Sequence, residues 1–370
     1  MKNIALLLLL SLSLVACSES DNDINDTNVD SFDRSAMLVN WADEIIIPAY
    51  QSFAIHTDAL NNAAEVFTAD PSESNLASLR QEWEDAYISF QDVAIFEIGA
   101  AETLRYRTRL NTYPTNTSEI DQYISEGSYD FVLPSTNDAQ GFPALDYLLF
   151  GLGTSEETIS RFTTHTNSDN YKDYLLAVTS SIDQLTQQVL TDWTTGFRDS
   201  FIANNGSSAS SSVDKLTNDF ILYYEKSLRA GKIGIPAGIF SNDPLPEKVE
   251  AFYKKDLSKA LALAGLEASS RFFKGQNLTS STTGKSYKDY LDYLNTIKNG
   301  EDLSQLIIDQ FAAARTSLNG LDANFTTQIE TNNSAMLDTY DELQRNVILL
   351  KVDMLQALSI DVDFVDTDGD

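Results

Sequence analysis

The side chains able to do acid–base, nucleophilic or metal chemistry are few, and their types narrow what the chain can do. There are two histidines, His56 and His165, far apart and not in a His-Glu-x-x-His pair. A catalytic zinc site normally takes His, Cys or carboxylate ligands and keeps one position open. Two distant imidazoles would leave such a site to carboxylates. No Gly-x-Ser-x-Gly elbow occurs, and the single cysteine is Cys17, which excludes an intramolecular disulfide framework and a Cys-based zinc site. A metal would have to be held by oxygen, from Asp, Glu or Tyr, and such ligands suit calcium, magnesium or ferric iron. Glu44, Glu97, Asp146 and Glu225 are the carboxylates within or beside apolar helical stripes. Burial would raise their pKa unless an arginine or a cation compensates. Taken singly, each also reads as a residue at the edge of the core. Arg105, Arg107 and Arg109 alternate with Leu104, Tyr106 and Thr108, a cluster that would either bind an anion or pair with neighbouring acids.

Asp146 lies in the run from Gly141 to Gly151, Gly-Phe-Pro-Ala-Leu-Asp-Tyr-Leu-Leu-Phe-Gly. Pro143 suits a first helical turn, where its missing N–H is no loss. Asp146 then falls near that helix's N-terminus, where backbone dipoles favour an anion. The plainer interpretation makes Phe142, Leu145, Leu148 and Leu149 core, with Asp146 a first-turn charge. A second punctuated stretch, Gly231-Lys232-Ile233-Gly234-Ile235-Pro236-Ala237-Gly238, lacks the order of a phosphate loop and reads as a glycine-rich turn.

These residues must be positioned by helices. Of 370 residues 42% are hydrophobic, a globular composition, and only 8 are proline, so long helices are permitted. Apolar spacings of three and four predict helices over 35–68, with Pro48 kinking it, and 71–98, started by Asp70 as cap with Pro71 as the first helical residue. Others are predicted over 118–124, from Thr154, over 171–201, 213–231, 245–274, 286–318 and 334–360. Period-two alternation is confined to 360–365, an expected edge strand. The closing Asp366-Thr367-Asp368-Gly369-Asp370 echoes the start of a calcium loop without its bidentate Glu.

The balance of 55 acids against 25 bases, net −30, opposes nucleic-acid binding, since no basic stripe is present to displace counterions. Residues 1–16 form a signal peptide: Lys2, then an apolar run too short for an ordinary span. Leu14-Val15-Ala16-Cys17 resembles the lipobox of bacterial lipoproteins, which implies lipidation at Cys17 and a place in the outer membrane, on its periplasmic face or at the cell surface. The polar, acidic 17–33 segment reads as a flexible tether.

Four stretches together resemble the imelysin-like family, once classed as peptidases and linked to bacterial iron uptake. They are Ile46-Ile47-Pro48-Ala49-Tyr50-Gln51, Arg109-Leu110-Asn111-Thr112-Tyr113-Pro114, the run from Gly141 to Gly151, and Tyr224-Glu225 with Lys232 to Gly238. The resemblance implies an all-α fold of two pseudo-duplicated helical bundles, placed here at 34–155 and 156–360 before an acidic tail, 361–370. It also implies a site near their interface. The family's Gly-x-His-x-x-Glu motif aligns with Gly141, Pro143 and Asp146. Losing the imidazole removes a metal ligand and a general base, and Asp shortens the carboxylate's reach by about 1.5 Å. The expectation is a non-enzymatic binding lipoprotein connected with iron, another metal or its carrier, or with an uptake-system protein. Its ligand residues would be Glu97, Arg109, Gly141, Pro143, Asp146 and Glu225, with Asp146, Glu97 and Glu225 as candidate ligands for iron or calcium. A metallopeptidase or other hydrolase outside the cytoplasm, and an interaction module that has lost the site, are the rival readings.

Overall fold

A computed structural model describes residues 30–364. The expected signal peptide, Cys17, nearly all of the expected tether and Asp366–Asp370 lie outside the described residues. Contacts divide the chain into Met1–Phe32, of which the described part carries a Phe32 N–H bond to Asp30 Oδ1 at 2.9 Å, and the body Asp33–Asp370. The body is all-α, as expected; its strands among the described residues are the two-residue hairpin arms Ile297–Lys298 and Glu301–Asp302. No described helix is long and apolar enough to cross a membrane. The relation of the two halves by duplication rests on the family resemblance alone.

Just before Pro48 the first helix carries a π-helical stretch. Arg34–Asn40 passes through a π-helical stretch, Trp41–Ile46, into Ile47–Ala69. Proline has no N–H to give the carbonyl four residues back. That carbonyl, on Glu44, instead accepts the N–H of Leu278 at 3.4 Å. The second helix is Glu73–Val93, and its cap is Ser72, not Asp70: the Ser72 hydroxyl accepts the Asn75 N–H at 3.4 Å. Asp70 contributes otherwise, its carbonyl accepting the Asn75 side-chain amide at 2.8 Å. The box predicted at Thr154 is present and starts Ser155–Thr163.

Ile47–Ala69 packs against both Glu73–Val93 and Ser168–Asp192, burying Phe53, Leu60, Phe67, Trp83, Tyr87, Phe90, Leu175 and Ile182. A second group is formed by Ser212–Leu222 with its π-helical continuation Tyr223–Gly234, by Ser258–Lys274, and by Leu303–Asn319 with Phe325–Val347. Ser258–Lys274 also lies on Glu73–Val93, so the two groups share a wall. Phe272, on that wall, meets Trp41, Phe96, Phe220 and Tyr287 with ring centroids 5.1–5.5 Å apart.

Two predicted helices are broken inside their expected bounds, and the one expected to reach 98 ends at Val93, leaving Glu97 beyond it. The one expected over 245–274 begins only at Ser258; before it run a 3-10 turn, Pro246–Lys248, and irregular chain with Ala251 at φ +56°. The one expected over 286–318 is Tyr287–Tyr293 and Leu303–Asn319, parted by the small hairpin. The last keeps its expected bounds: Phe325–Val347 is broken at Asn332 (φ −157°, ψ 75°), so the helix expected from 334 begins just past that break and passes through π-helical Ile348–Met354 to Leu358, with a shorter helix capped by the Asn324 side chain before it. No strand forms over 361–364. There the Asn218 side chain takes the chain's polar groups, donating to the Asp361 carbonyl at 3.0 Å and accepting the Asp363 N–H at 3.1 Å.

Candidate functional site

The run from Gly141 builds a short helix, Gly141–Asp146, with all six residues buried. Gly141 has φ +74°, and a β-carbon there would collide with the Leu110 carbonyl, so glycine alone lets this turn lie on the Arg109–Pro114 stretch. Phe142 stacks flat on Tyr87, centroids 4.5 Å apart and planes 5° from parallel, and its carbonyl accepts the Trp83 indole N–H at 3.2 Å. Pro143 occupies the first turn as expected. Asp146 is 2% exposed. Its amide donors are not those of its own helix: Oδ2 accepts the Tyr253 N–H at 2.8 Å and Oδ1 the Lys254 N–H at 2.9 Å, both from the irregular chain before Ser258. Burial raises its pKa to about 7 against the pull of these two amides and the Lys254 charge.

The other sequence candidates lie in separate networks. Glu97 joins Asp219 around Arg107: the guanidinium stands 3.2 Å from Glu97 Oε2 and 2.8 Å from Asp219 Oδ1. Burial, more than Asp219, raises the Glu97 pKa, and Arg107 opposes it. The arginine cluster therefore divides. Arg107 pairs with acids, Arg105 donates to the Val132 carbonyl at 3.3 Å, and Arg109 leaves a buried Nε without a partner. Glu225 is fully buried among cations, 2.7 Å from Lys226 Nζ, 2.9 Å from Lys351 Nζ and 3.7 Å from an Arg229 nitrogen. Glu44 is exposed, accepting from the Asn277 amide. His165 accepts the Asn167 N–H on Nδ1 at 3.1 Å, and His56 is half-buried. Among the described residues no three His, Cys, Asp or Glu are grouped so as to hold a metal ion, so Asp146, Glu97 and Glu225 do not form one carboxylate cage.

What does converge on the motif stretches was not anticipated. Lys232 and Glu250, each 2% exposed, form a buried ion pair through Lys232 Nζ and Glu250 Oε2. Glu250 Oε1 accepts from the Asn111 amide at 2.8 Å and the Tyr87 hydroxyl at 3.2 Å, and Tyr87 also lies 2.5 Å from Asn111 Oδ1. Asn111 and Lys232 stand inside two of the motif stretches, a signal that could have found them. Glu250 had none, because its segment read as helix.

Beside this network lies a cavity of about 220 Å3 whose wall includes Tyr113, Pro114, Pro143, Asp146, Glu247 and Tyr253. Three sequence-distant stretches thus meet at one hollow, which is largely aromatic and apolar with two carboxyls, those of Asp146 and the exposed Glu247, in its wall. Its donor set does not fit a resident metal ion: Pro143 offers no ligand atom, both Asp146 oxygens already accept main-chain N–H groups, and Glu247 is not grouped, among the described residues, with two further His, Cys, Asp or Glu. The hollow suits binding of a small group beside a carboxyl whose two oxygens are already engaged by main-chain amides.

The Imelysin family model (Peptidase M75) matches residues 46–348. The iron-regulated protein A of Synechococcus elongatus is 22% identical over 156 residues, which is 42% of this chain and 39% of that protein; the match spans well under half of its length. Among solved structures, a candidate iron-regulated protein A precursor from Parabacteroides distasonis aligns with TM-score 0.69 and 18% identity, over 86% of this chain and 94% of that one. An imelysin-like protein from Psychrobacter arcticum aligns with TM-score 0.67 and 16% identity, over 90% and 97%. At such identities the likeness is one of fold.

Proposed function

We propose a binding role for this chain, which belongs to the imelysin family: a lipoprotein held in the outer membrane through Cys17 and serving iron acquisition without peptidase chemistry. The iron connection is supported by the names of the relatives, two of which are called iron-regulated protein A. The binding role is carried by one observation, the state of Asp146. The position aligned with the family's glutamate is buried and held by two main-chain amides, and the position aligned with its histidine is Pro143. A peptidase would need there a polarised water and a base free to take its proton. Neither Asp146 nor Pro143 is arranged for that, whereas a mostly apolar wall suits holding a molecule or a carrier of the metal.

The test joins localisation, regulation and activity. Labelling cells with radioactive palmitate should mark the protein and not its Cys17→Ala variant, and iron limitation should raise its expression. Purified protein should leave peptides intact. Expression indifferent to iron would remove the iron reading. Peptide hydrolysis abolished by chelator and by Asp146→Ala would put the hydrolase in its place.

A further inference from the structure

Three Asn-Gly pairs occur in the chain, Asn205-Gly206, Asn299-Gly300 and Asn319-Gly320. Asparagine is a thermolabile side chain, and a following glycine makes it more so. The glycine nitrogen has no side chain beside it to block its approach to the asparagine carbonyl carbon, and the backbone between them turns freely. By residue type the three pairs are equivalent. Their surroundings are not.

Gly320 gives its N–H to the Ser317 carbonyl at 3.0 Å and the Thr316 carbonyl at 3.3 Å, at the end of Leu303–Asn319. The Asn319 carbonyl in turn accepts from the Lys259 ammonium at 3.2 Å. To attack, the Gly320 nitrogen would first have to leave the last turn of the helix. Asn299-Gly300 is the two-residue tip of the small hairpin, with φ +56° and +88°. Ile297 faces Asp302 and Lys298 faces Glu301 across it, and Lys298 is also paired with Asp353 on the π-helical stretch Ile348–Met354. Turning Asn299 so that its side chain meets the Gly300 nitrogen would pull these pairings apart.

Asn205-Gly206 is held by nothing of the kind. It lies on the loop between Arg198–Ala203 and Ser212–Leu222. Asn204 ties the ends of that loop: its carbonyl accepts the Ser212 N–H at 3.0 Å, and its side-chain amide donates to the Ser210 carbonyl at 2.7 Å. The far side is closed by the Ser211 N–H on the Ser208 carbonyl at 2.7 Å. Between these ties Asn205, Gly206 and Ser207 are exposed. Neither the Asn205 side chain nor the Gly206 N–H has a hydrogen bond among the described residues. A β-carbon on Gly206 would meet nothing within 4 Å. Turning Asn205 toward the Gly206 nitrogen therefore breaks no contact, as befits an exposed loop tip.

We infer that Asn205 is a site of spontaneous deamidation, selected from the three pairs by the fold. The Gly206 nitrogen loses its proton to solvent hydroxide and bonds to Asn205 Cγ. The Cγ–Nδ2 bond breaks and ammonia leaves, closing a succinimide ring. Water opens the ring at either carbonyl and leaves aspartate or isoaspartate. The balance is amide plus water to carboxylate plus ammonium, with no oxidant or reductant. Each event adds one negative charge to a chain already at −30. The isoaspartate product also lengthens the main chain by one atom, within a loop whose ends Asn204 keeps tied. The modification is independent of the binding role and stands without it.

Holding the purified protein at mildly alkaline pH, digesting it after increasing times and weighing the peptides by mass spectrometry tests this. The peptide carrying Asn205 should gain one mass unit, split between aspartate and isoaspartate, well before those carrying Asn299 or Asn319. Gly206→Ala should slow that gain about tenfold, because a β-carbon crowds the attacking nitrogen and restricts the backbone. In urea, with the folded contacts gone, the three pairs should react at similar rates. The same order persisting in urea would make neighbouring sequence, not the fold, its cause, and would overturn the proposal. So would an unchanged Asn205 in the folded protein, or Asn299 or Asn319 reacting there as fast.

Discussion

Asp146 holds the main-chain N–H of Tyr253 at 2.8 Å across 107 residues of sequence, and the next amide, of Lys254, at 2.9 Å. This pins the motif helix to the irregular chain that carries Glu250. The folded pKa of about 7 lies above the ordinary aspartate value near 4. The folded protein therefore holds this proton where the unfolded chain has lost it, and stability falls as pH rises from about 4 through about 7. The span is worth on the order of 4 kcal/mol at 1.36 kcal/mol per pH unit. Urea unfolding of the wild type across that range, against Asp146→Asn, should show a downward slope that the variant lacks.

Gly141→Ala should destabilise by well over about 1 kcal/mol, the scale of the left-handed penalty alone. Its β-carbon would also meet a backbone carbonyl that cannot move aside as a side chain does. At Gly206 φ is not positive and a β-carbon would meet nothing within 4 Å, so alanine should be accepted there without measurable loss. Thermal denaturation of the two variants separates conformation from composition.

The Lys232–Glu250 pair should behave as a buried ion pair does. Lys232→Met alone leaves the Glu250 charge buried with only Tyr87 and Asn111 as donors and should cost about 3–5 kcal/mol. Adding Glu250→Gln, which retains an acceptor for both, should recover much of that. A double-mutant cycle in urea checks this: coupling of about 1 kcal/mol or more is expected, and simple additivity would dissolve the network.

Glu225 is expected to be a structural anion. Glu225→Gln leaves Arg229 and Lys351 buried beside a neutral group, since these side chains are 0% and 7% exposed. A loss of about 3–5 kcal/mol follows. Lys351→Met in that background should restore part of the melting temperature, which loss of a ligand site would not produce.

Helix positions were readable where the cause was local. The three-and-four spacing of Leu76, Leu79, Trp83, Tyr87 and Phe90 faces one side of any helix, and Thr154 caps Ser155–Thr163 through a hydrogen bond three residues long. Pro48 shows the limit. Its missing N–H was evident, but the π-helical stretch before it and the bond that the freed Glu44 carbonyl accepts from Leu278, more than 200 residues away, were not.

The candidate site divides in the same way. Composition alone settled that metal chemistry would need oxygen ligands, and the motif order alone pointed to Gly141, Pro143 and Asp146, because residue type and spacing are properties of the chain. Which charges meet is not. Glu97, Asp146 and Glu225 looked alike in sequence, yet one faces Arg107, one faces two amides and one faces three cations. Glu250, which joins Asn111 and Lys232, left no trace in the pattern. Coulomb energy and hydrogen bonding act over a few ångströms in space regardless of sequence separation, so only the packing of the helices could decide these partners.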